Sequence, residues 1–106
     1  MPKYMFQASY TAEGIKGVLK EGGTGRREAL STAVSKLGGR LESFYYALGE
    51  HDVFAVFDAP DNVTAVALSA SIAATGAINV RTTVLLTVEE IDQAGKMALT
   101  YRAPGH

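Results

Sequence analysis

Cysteine is absent from this chain of 106 residues. Its absence excludes disulfide bonds, thiolate nucleophiles, and zinc or iron–sulfur sites held by cysteine. A surplus of charge is also missing, because 10 basic and 11 acidic side chains leave a formal net charge of −1. Such a chain has no strong field to attract nucleic acid or an anionic membrane surface. We therefore expect neither nucleic acid nor a membrane as a partner.

Long hydrophobic runs are lacking as well. The most apolar stretch, residues 63–77, is interrupted by Thr, Ser and Gly and is too short to span a bilayer. The N-terminus leads straight into a strand-like run, without the apolar region of a signal peptide. We predict one soluble domain over residues 1–97, a loosely held tail over residues 98–106, and a cytoplasmic location.

Hydrophobic periodicity divides the chain into eight segments. Alternating apolar side chains predict strands, and apolar side chains at a 3.6-residue period predict helices. Capping hydroxyls or carboxylates at Thr11, Thr24, Asp61 and Thr87, and the glycines of residues 22–25, mark helix ends. The predicted strands are residues 3–10, 40–48, 51–58 and 78–86, and the predicted helices are residues 12–20, 25–37, 62–74 and 88–97.

This order predicts an α+β fold of the ferredoxin-like βαββαβ type with an additional C-terminal helix. Right-handed crossovers place both main helices on one face of a four-stranded antiparallel sheet. The strands at residues 40–48 and 51–58 carry apolar groups on both faces, so the second face also requires a cover. A second copy of the chain would provide it, which predicts a homodimer of the dimeric α+β barrel type, or a higher homo-oligomer.

Three blocks of the sequence resemble the GYD-domain family: Lys20 to Arg27, Leu37 to Tyr45, and Gly49 to Val53. The resemblance implies a ferredoxin-like dimeric barrel and no settled activity. In the motif that names the family, Gly49 and Asp52 match, whereas His51 stands where tyrosine is usual. The substitution replaces a phenol with an imidazole, which titrates near neutral pH.

His51 and Asp52 are the candidate catalytic residues, with His51 as an acid–base group at the mouth of a pocket. The alternative is a hairpin turn in which Asp52 bonds to local backbone amides. Neighbouring side chains in Glu50-His51-Asp52 diverge, and a metal needs three or four converging ligands. We therefore predict no metal site and no cofactor.

A second candidate is an anion site at Thr24, Arg26 and Arg27, where glycines, a hydroxyl and two cations stand at a helix start. The segment lacks the Gly-Lys-Ser/Thr ending of a P-loop. The alternative interpretation is a break in the helix with solvated arginines.

Tyr4, Tyr10, Tyr45 and Arg81 are the candidate ligand-binding residues, by analogy with dimeric α+β barrels of other families, in which strand side chains line a pocket between sheet and helices. The alternative for the tyrosines is a place in the core or in the dimer interface. A charge in the middle of a strand must be paired or exposed, so Arg81 either anchors a carboxylate ligand or forms a salt bridge with Glu42 or Asp58.

The leading hypothesis is a homo-oligomer that binds a small apolar or aromatic molecule between sheet and helices, with cofactor-free catalysis as an extension. The rival hypothesis is a non-catalytic assembly or regulatory module. A cleft of about 300 Å³ or more with His51 or Arg81 at its rim would favour binding. A sheet–helix layer packed solid by aromatic side chains would favour assembly.

Overall fold

The computed structural model describes residues 1–106, which form seven helices and strands. In chain order these are β1 (Lys3–Tyr10), α1 (Ala12–Lys36), β2 (Arg40–Tyr46), β3 (Val53–Asp58), α2 (Asn62–Ala73), β4 (Ile78–Leu85) and α3 (Val88–Met97).

The four strands form one sheet in the order β2-β3-β1-β4, and every neighbouring pair is antiparallel. This topology confirms the predicted α+β, ferredoxin-like fold. Phe6 in β1 lies opposite Ala55 of β3 and Thr82 of β4. The Ser69 side chain of α2 hydrogen-bonds to the Thr82 hydroxyl, which shows that α2 covers the face to which Phe6 belongs.

The core lies between this face and the helices α1 and α2. Tyr4, Phe6 and Phe57 are almost completely buried there. The Phe57 ring stacks on Tyr4 with centroids 5.4 Å apart and meets Phe6 edge-on at 4.9 Å. The buried Tyr4 hydroxyl donates a hydrogen bond of 2.6 Å to the Asn62 side chain, which satisfies its polar end. Alternate residues of the central strands therefore supply the core, as a period of two requires.

Helix α1 consists of two helical segments, as predicted, which meet at a kink. Only Gly22, with φ 83° and ψ 163°, departs from helical geometry within Ala12–Lys36. Gly23, Thr24 and Gly25 are helical, so the predicted loop shrinks to one residue. Positive φ is tolerated by glycine at little steric cost, which explains why the break falls on Gly22.

The predicted hairpin turn is also longer than expected. Strand β2 ends at Tyr46 and β3 begins at Val53, so residues 47–52 connect them instead of a tight turn at residues 49–52. By contrast, three of the four predicted N-caps are confirmed, whereas Thr24 lies within a helical turn of α1 and is not a cap. The side chains of Thr11, Asp61 and Thr87 accept hydrogen bonds from backbone amides in the first turns of α1, α2 and α3.

Helix α3 extends away from the rest of the domain. None of its residues is buried. The chain measures 57 × 33 × 22 Å and has a radius of gyration of 17.0 Å. A compact chain of this length would have a radius of gyration of about 13 Å. No helix in the structure combines the length and the apolar character needed to cross a membrane.

The sheet face opposite α1 and α2, here called the open face, has an apolar centre and polar ends. Met5, Phe54 and Val56 lie half-buried at the centre. At one end, the Lys3 ammonium pairs with Glu42 and Asp58, both at 2.9 Å. These contacts correct the alternative offered for Arg81, because both carboxylates pair with Lys3 and neither pairs with Arg81.

Candidate functional site

A cleft opens between the sheet and the two helices that cover it. Its volume is about 100 Å³, and 11 of its 12 lining residues are hydrophobic. All four strands and both helices contribute to the lining. The residues are Phe6, Ala8, Tyr10, Arg26, Ala29, Leu30, Ala33, Phe44, Val53, Ile72, Ile78 and Val80.

The cleft exists because α1 presents small side chains to it. Ala29 and Ala33 lie one helical turn apart on the same face of α1, and both line the cleft. A methyl group leaves open the space that Leu or Phe would fill at core packing density. The layer between helices and sheet is therefore not packed solid at this point.

Arg26 and Tyr10 supply the polar groups at the mouth of the cleft. The same two residues line an adjoining hollow with Glu21, so the mouth continues outward along α1. The Arg26 Nη1 donates to the Glu21 carboxylate at 3.2 Å. Next to them, the Tyr46 hydroxyl donates to the Gly23 carbonyl at 3.0 Å, which attaches the end of β2 to the helix break.

The two tyrosines near the mouth have perturbed ionisation. Burial raises the pKa of the Tyr10 phenol, and the neighbouring Tyr46 adds to this effect while Arg26 opposes it. Burial also raises the pKa of the Tyr46 phenol, against the opposing influence of Arg26 and Arg27. Both side chains are therefore neutral hydrogen-bonding groups at neutral pH.

We expect these tyrosines to weaken the fold at alkaline pH. Their pKa is higher in the folded chain than in the unfolded chain, so their contribution is complete below the usual value of about 10. It is lost as the pH rises through the folded-state pKa, because the unfolded state releases its protons first. Urea unfolding of the natural chain and of Tyr10→Phe, on both sides of pH ~10, measures the difference. Equal losses of stability in the two proteins would contradict this prediction for Tyr10.

The structure separates the predicted ligand-binding residues. Tyr10 lines the cleft, whereas Tyr4 is part of the core. Tyr45 lies on the open face opposite Phe54, and its side chain is 69% exposed. Of the predicted ligand-binding residues, Tyr10 is the one that the structure brings to the cleft.

His51 and Arg81 line the same shallow depression, which lies on the open face. Gln7, Ser9 and Asn79 line it with them. The His51 Nδ1 is buried without a hydrogen-bond partner. An orphaned donor is rarer than an under-satisfied acceptor, which favours the tautomer with the proton on Nε2. Catalytic or ligand-binding roles for His51 and Arg81 remain predictions, located on the face away from the cleft.

The Asp52 carboxylate bonds to a backbone amide, as the hairpin-turn interpretation predicted. The amide is not local, however, because it belongs to a residue distant in sequence. The Asp52 Oδ2 accepts a hydrogen bond of 2.9 Å from the backbone amide of Tyr10. The Asp52 amide itself donates to the Ala8 carbonyl at 2.7 Å. Asp52 thereby attaches the connection before β3 to the end of β1, beside the strand residue that reaches the cleft.

The three residues of the predicted anion site do not converge in the structure. Arg26 turns to the mouth of the cleft, whereas Arg27 points away from it and donates to Glu28 at 3.4 Å. Thr24 is exposed on α1. The structure contains no group of three or more His, Asp or Glu side chains placed to hold a metal ion.

The helix side of the cleft was not predicted from the sequence. Ala29, Leu30 and Ala33 follow the apolar stripe of α1, a pattern that is typical of core positions. The available signal was the pair of alanines one turn apart, since small residues in such a stripe can leave space above a sheet.

Comparison with known proteins gives a family. The family model described as the GYD domain matches residues 4–94, which is most of the chain. The match extends from the start of β1 into α3 and includes every residue that lines the cleft. Neither a search of curated proteins nor a search of solved structures gave a match.

Proposed function

This chain belongs to the GYD-domain family, and from that premise we propose that it binds a small apolar or aromatic molecule in the cleft between its sheet and its helices. The observation that carries the proposal is the lining of the cleft, with 11 hydrophobic residues and one arginine around a volume of about 100 Å³. Ligand sites in proteins are concave, mostly apolar, and carry a few polar groups that orient the ligand. The cleft shares the apolar lining and the polar groups at the mouth, but its volume is below the expected size of about 300 Å³. Its mouth carries Arg26 and Tyr10 in place of His51 or Arg81.

The cleft favours binding over catalysis. Its lining contains no carboxylate and no imidazole, and its ionisable groups are Tyr10 and Arg26. A general acid or base must lie within hydrogen-bond reach of the reacting atom. His51, the predicted acid–base residue, lines a depression on the opposite face of the sheet. Binding without turnover is therefore the function that this geometry supports best.

A substitution that fills the cleft tests the proposal. Ala29→Phe places a ring in the mouth, and we expect it to weaken binding of a neutral aromatic probe, naphthamide, by at least tenfold, or about 1.4 kcal/mol. Isothermal titration calorimetry measures the affinity. Thr32→Phe is the matched control, because Thr32 is exposed on α1 outside the cleft. Equal affinities of the two variants for naphthamide would contradict the proposal.

We also propose that the chain forms a homodimer through its open face. Met5, Phe54 and Val56 form a half-buried apolar centre, while Lys3, Arg81 and other polar groups lie toward the ends. An apolar centre inside a polar rim is the usual anatomy of a protein interface. The open face is on the opposite side of the sheet from the cleft, so dimerisation leaves the ligand site accessible in each copy.

Helix α3 offers a further contact for the second copy. Val88, Ile91 and Met97 are more than half exposed. An isolated helix of 10 residues is marginal in water, since helices shorter than about 12–15 residues gain most of their stability from packing. A partner surface against α3 would supply that packing.

A further inference from the structure

The cleft contains one charged lining residue, and its position indicates the kind of ligand that the cleft accepts. Arg26 stands at the mouth, where eleven hydrophobic residues form the remainder of the lining. Its side chain is 37% exposed, so the guanidinium lies between the apolar interior and solvent. A cation at the edge of an apolar site is well placed to bind the polar end of a ligand whose apolar part lies inside.

Arg26 has hydrogen-bonding capacity left for such a ligand. A guanidinium carries five N–H donors in a planar fork. Arg26 donates a hydrogen bond of 3.2 Å to Glu21, whose side chain is 50% exposed, and its guanidinium also lies beside the Tyr10 phenol. An exposed ion pair of this kind contributes little to stability, so a ligand can replace it at small cost. The remaining donors match the two oxygens of a carboxylate, which arginine binds in bidentate geometry.

Two neighbouring features favour the same ligand. Tyr10 also lines the mouth, and its phenol is a neutral donor at neutral pH that can hydrogen-bond an oxygen held by Arg26. The Tyr46 hydroxyl donates a hydrogen bond to the Gly23 carbonyl. Gly23 lies next to the break in α1, one turn before Arg26. This contact holds the segment that carries Arg26 against the end of β2, which limits the positions available to the guanidinium.

We propose that the cleft binds an apolar or aromatic molecule bearing one carboxylate, with the apolar part among Phe6, Phe44 and Val80 and the carboxylate on Arg26 at the mouth. The proposal rests on the proposed function, since it names the class of ligand for the same cleft. Arg27 does not take part, because its side chain points away from the cleft toward Glu28.

A pair of probes with the same ring system tests this inference. Naphthoate carries a carboxylate where naphthamide carries a neutral amide. Titration calorimetry of both probes with the natural chain should show naphthoate binding at least tenfold more tightly. Arg26→Gln should remove this preference by weakening naphthoate alone. Arg27→Gln, the matched control for charge, should retain it, and far-ultraviolet circular dichroism verifies that both variants are folded.

The outcomes separate the two proposals. Equal affinity of the natural chain for the two probes would overturn the carboxylate inference and leave the apolar cleft in place. The same holds if Arg26→Gln and Arg27→Gln lose naphthoate affinity to the same extent, because the effect would then be one of net charge. Absence of binding by both probes would overturn the proposed function together with the inference.

Discussion

Phe57→Ala is expected to lower the free energy of unfolding by about 3–5 kcal/mol, the usual cost of removing a buried phenylalanine ring. Phe57 is completely buried in β3, between the rings of Tyr4 and Phe6. Removing its ring leaves both partners without an aromatic contact and creates a cavity that a rigid sheet cannot close. Single domains are stable by only about 5–15 kcal/mol, so the variant should be close to unfolding at room temperature. Urea denaturation followed by circular dichroism measures the change.

Leu48→Ala is the matched control for this prediction. Leu48 lies in the connection between β2 and β3, and its side chain is fully exposed. Its truncation removes apolar atoms without creating a cavity, so the stability should change by less than about 0.5 kcal/mol. A loss for Phe57→Ala no larger than the loss for Leu48→Ala would show that the layer between sheet and helices is not the core of the fold.

Val56→Arg is expected to dissociate the proposed homodimer by raising its dissociation constant at least a hundredfold, or about 3 kcal/mol. Val56 lies half-buried at the centre of the open face, between Met5 and Ser43 on the neighbouring strands. An isologous interface repeats every substitution on both copies, so two guanidinium groups would enter one apolar contact. Each would lose water without gaining a partner. Light scattering over a range of protein concentrations measures the mass.

Val63→Arg provides the comparison for dimerisation. Val63 is 79% exposed in the first turn of α2, on the other side of the sheet from the open face. The same charge at this position should leave the mass unchanged. Monomeric natural protein, or a dimer that tolerates Val56→Arg as well as Val63→Arg, would show that the open face is not the interface.

The order of helices and strands could be predicted from the sequence because local patterns determine it. Alternation grouped Tyr4 with Phe6 in β1 and separated Phe57 from Phe54 in β3, and the burial of Tyr4, Phe6 and Phe57 agrees with this grouping. The break in α1 was placed at the right glycines but made too long. One glycine with positive φ is enough to interrupt a helix, and nothing in Gly22-Gly23-Thr24-Gly25 indicates which glycine adopts it.

The cleft could not be predicted in detail because its lining depends on tertiary geometry. A bulge in β2 between Leu41 and Ser43 shifts the register against β3. As a result, Phe44 lines the cleft while Tyr45 lies on the open face. A bulge changes the face of every residue after it, so simple alternation cannot assign these side chains. The different directions of Arg26 and Arg27 likewise depend on how α1 is seated on the sheet.

Locating a bound probe is the most direct test of a ligand site between the sheet and α1. Amide proton–nitrogen correlation spectra, recorded during a titration with naphthoate, report which residues the probe approaches. We expect the largest shifts at cleft residues such as Ala29, Ala33 and Phe44, which lie outside the depression on the open face. Shifts concentrated instead at Gln7, His51 and Arg81, around the depression on the open face, would contradict this expectation.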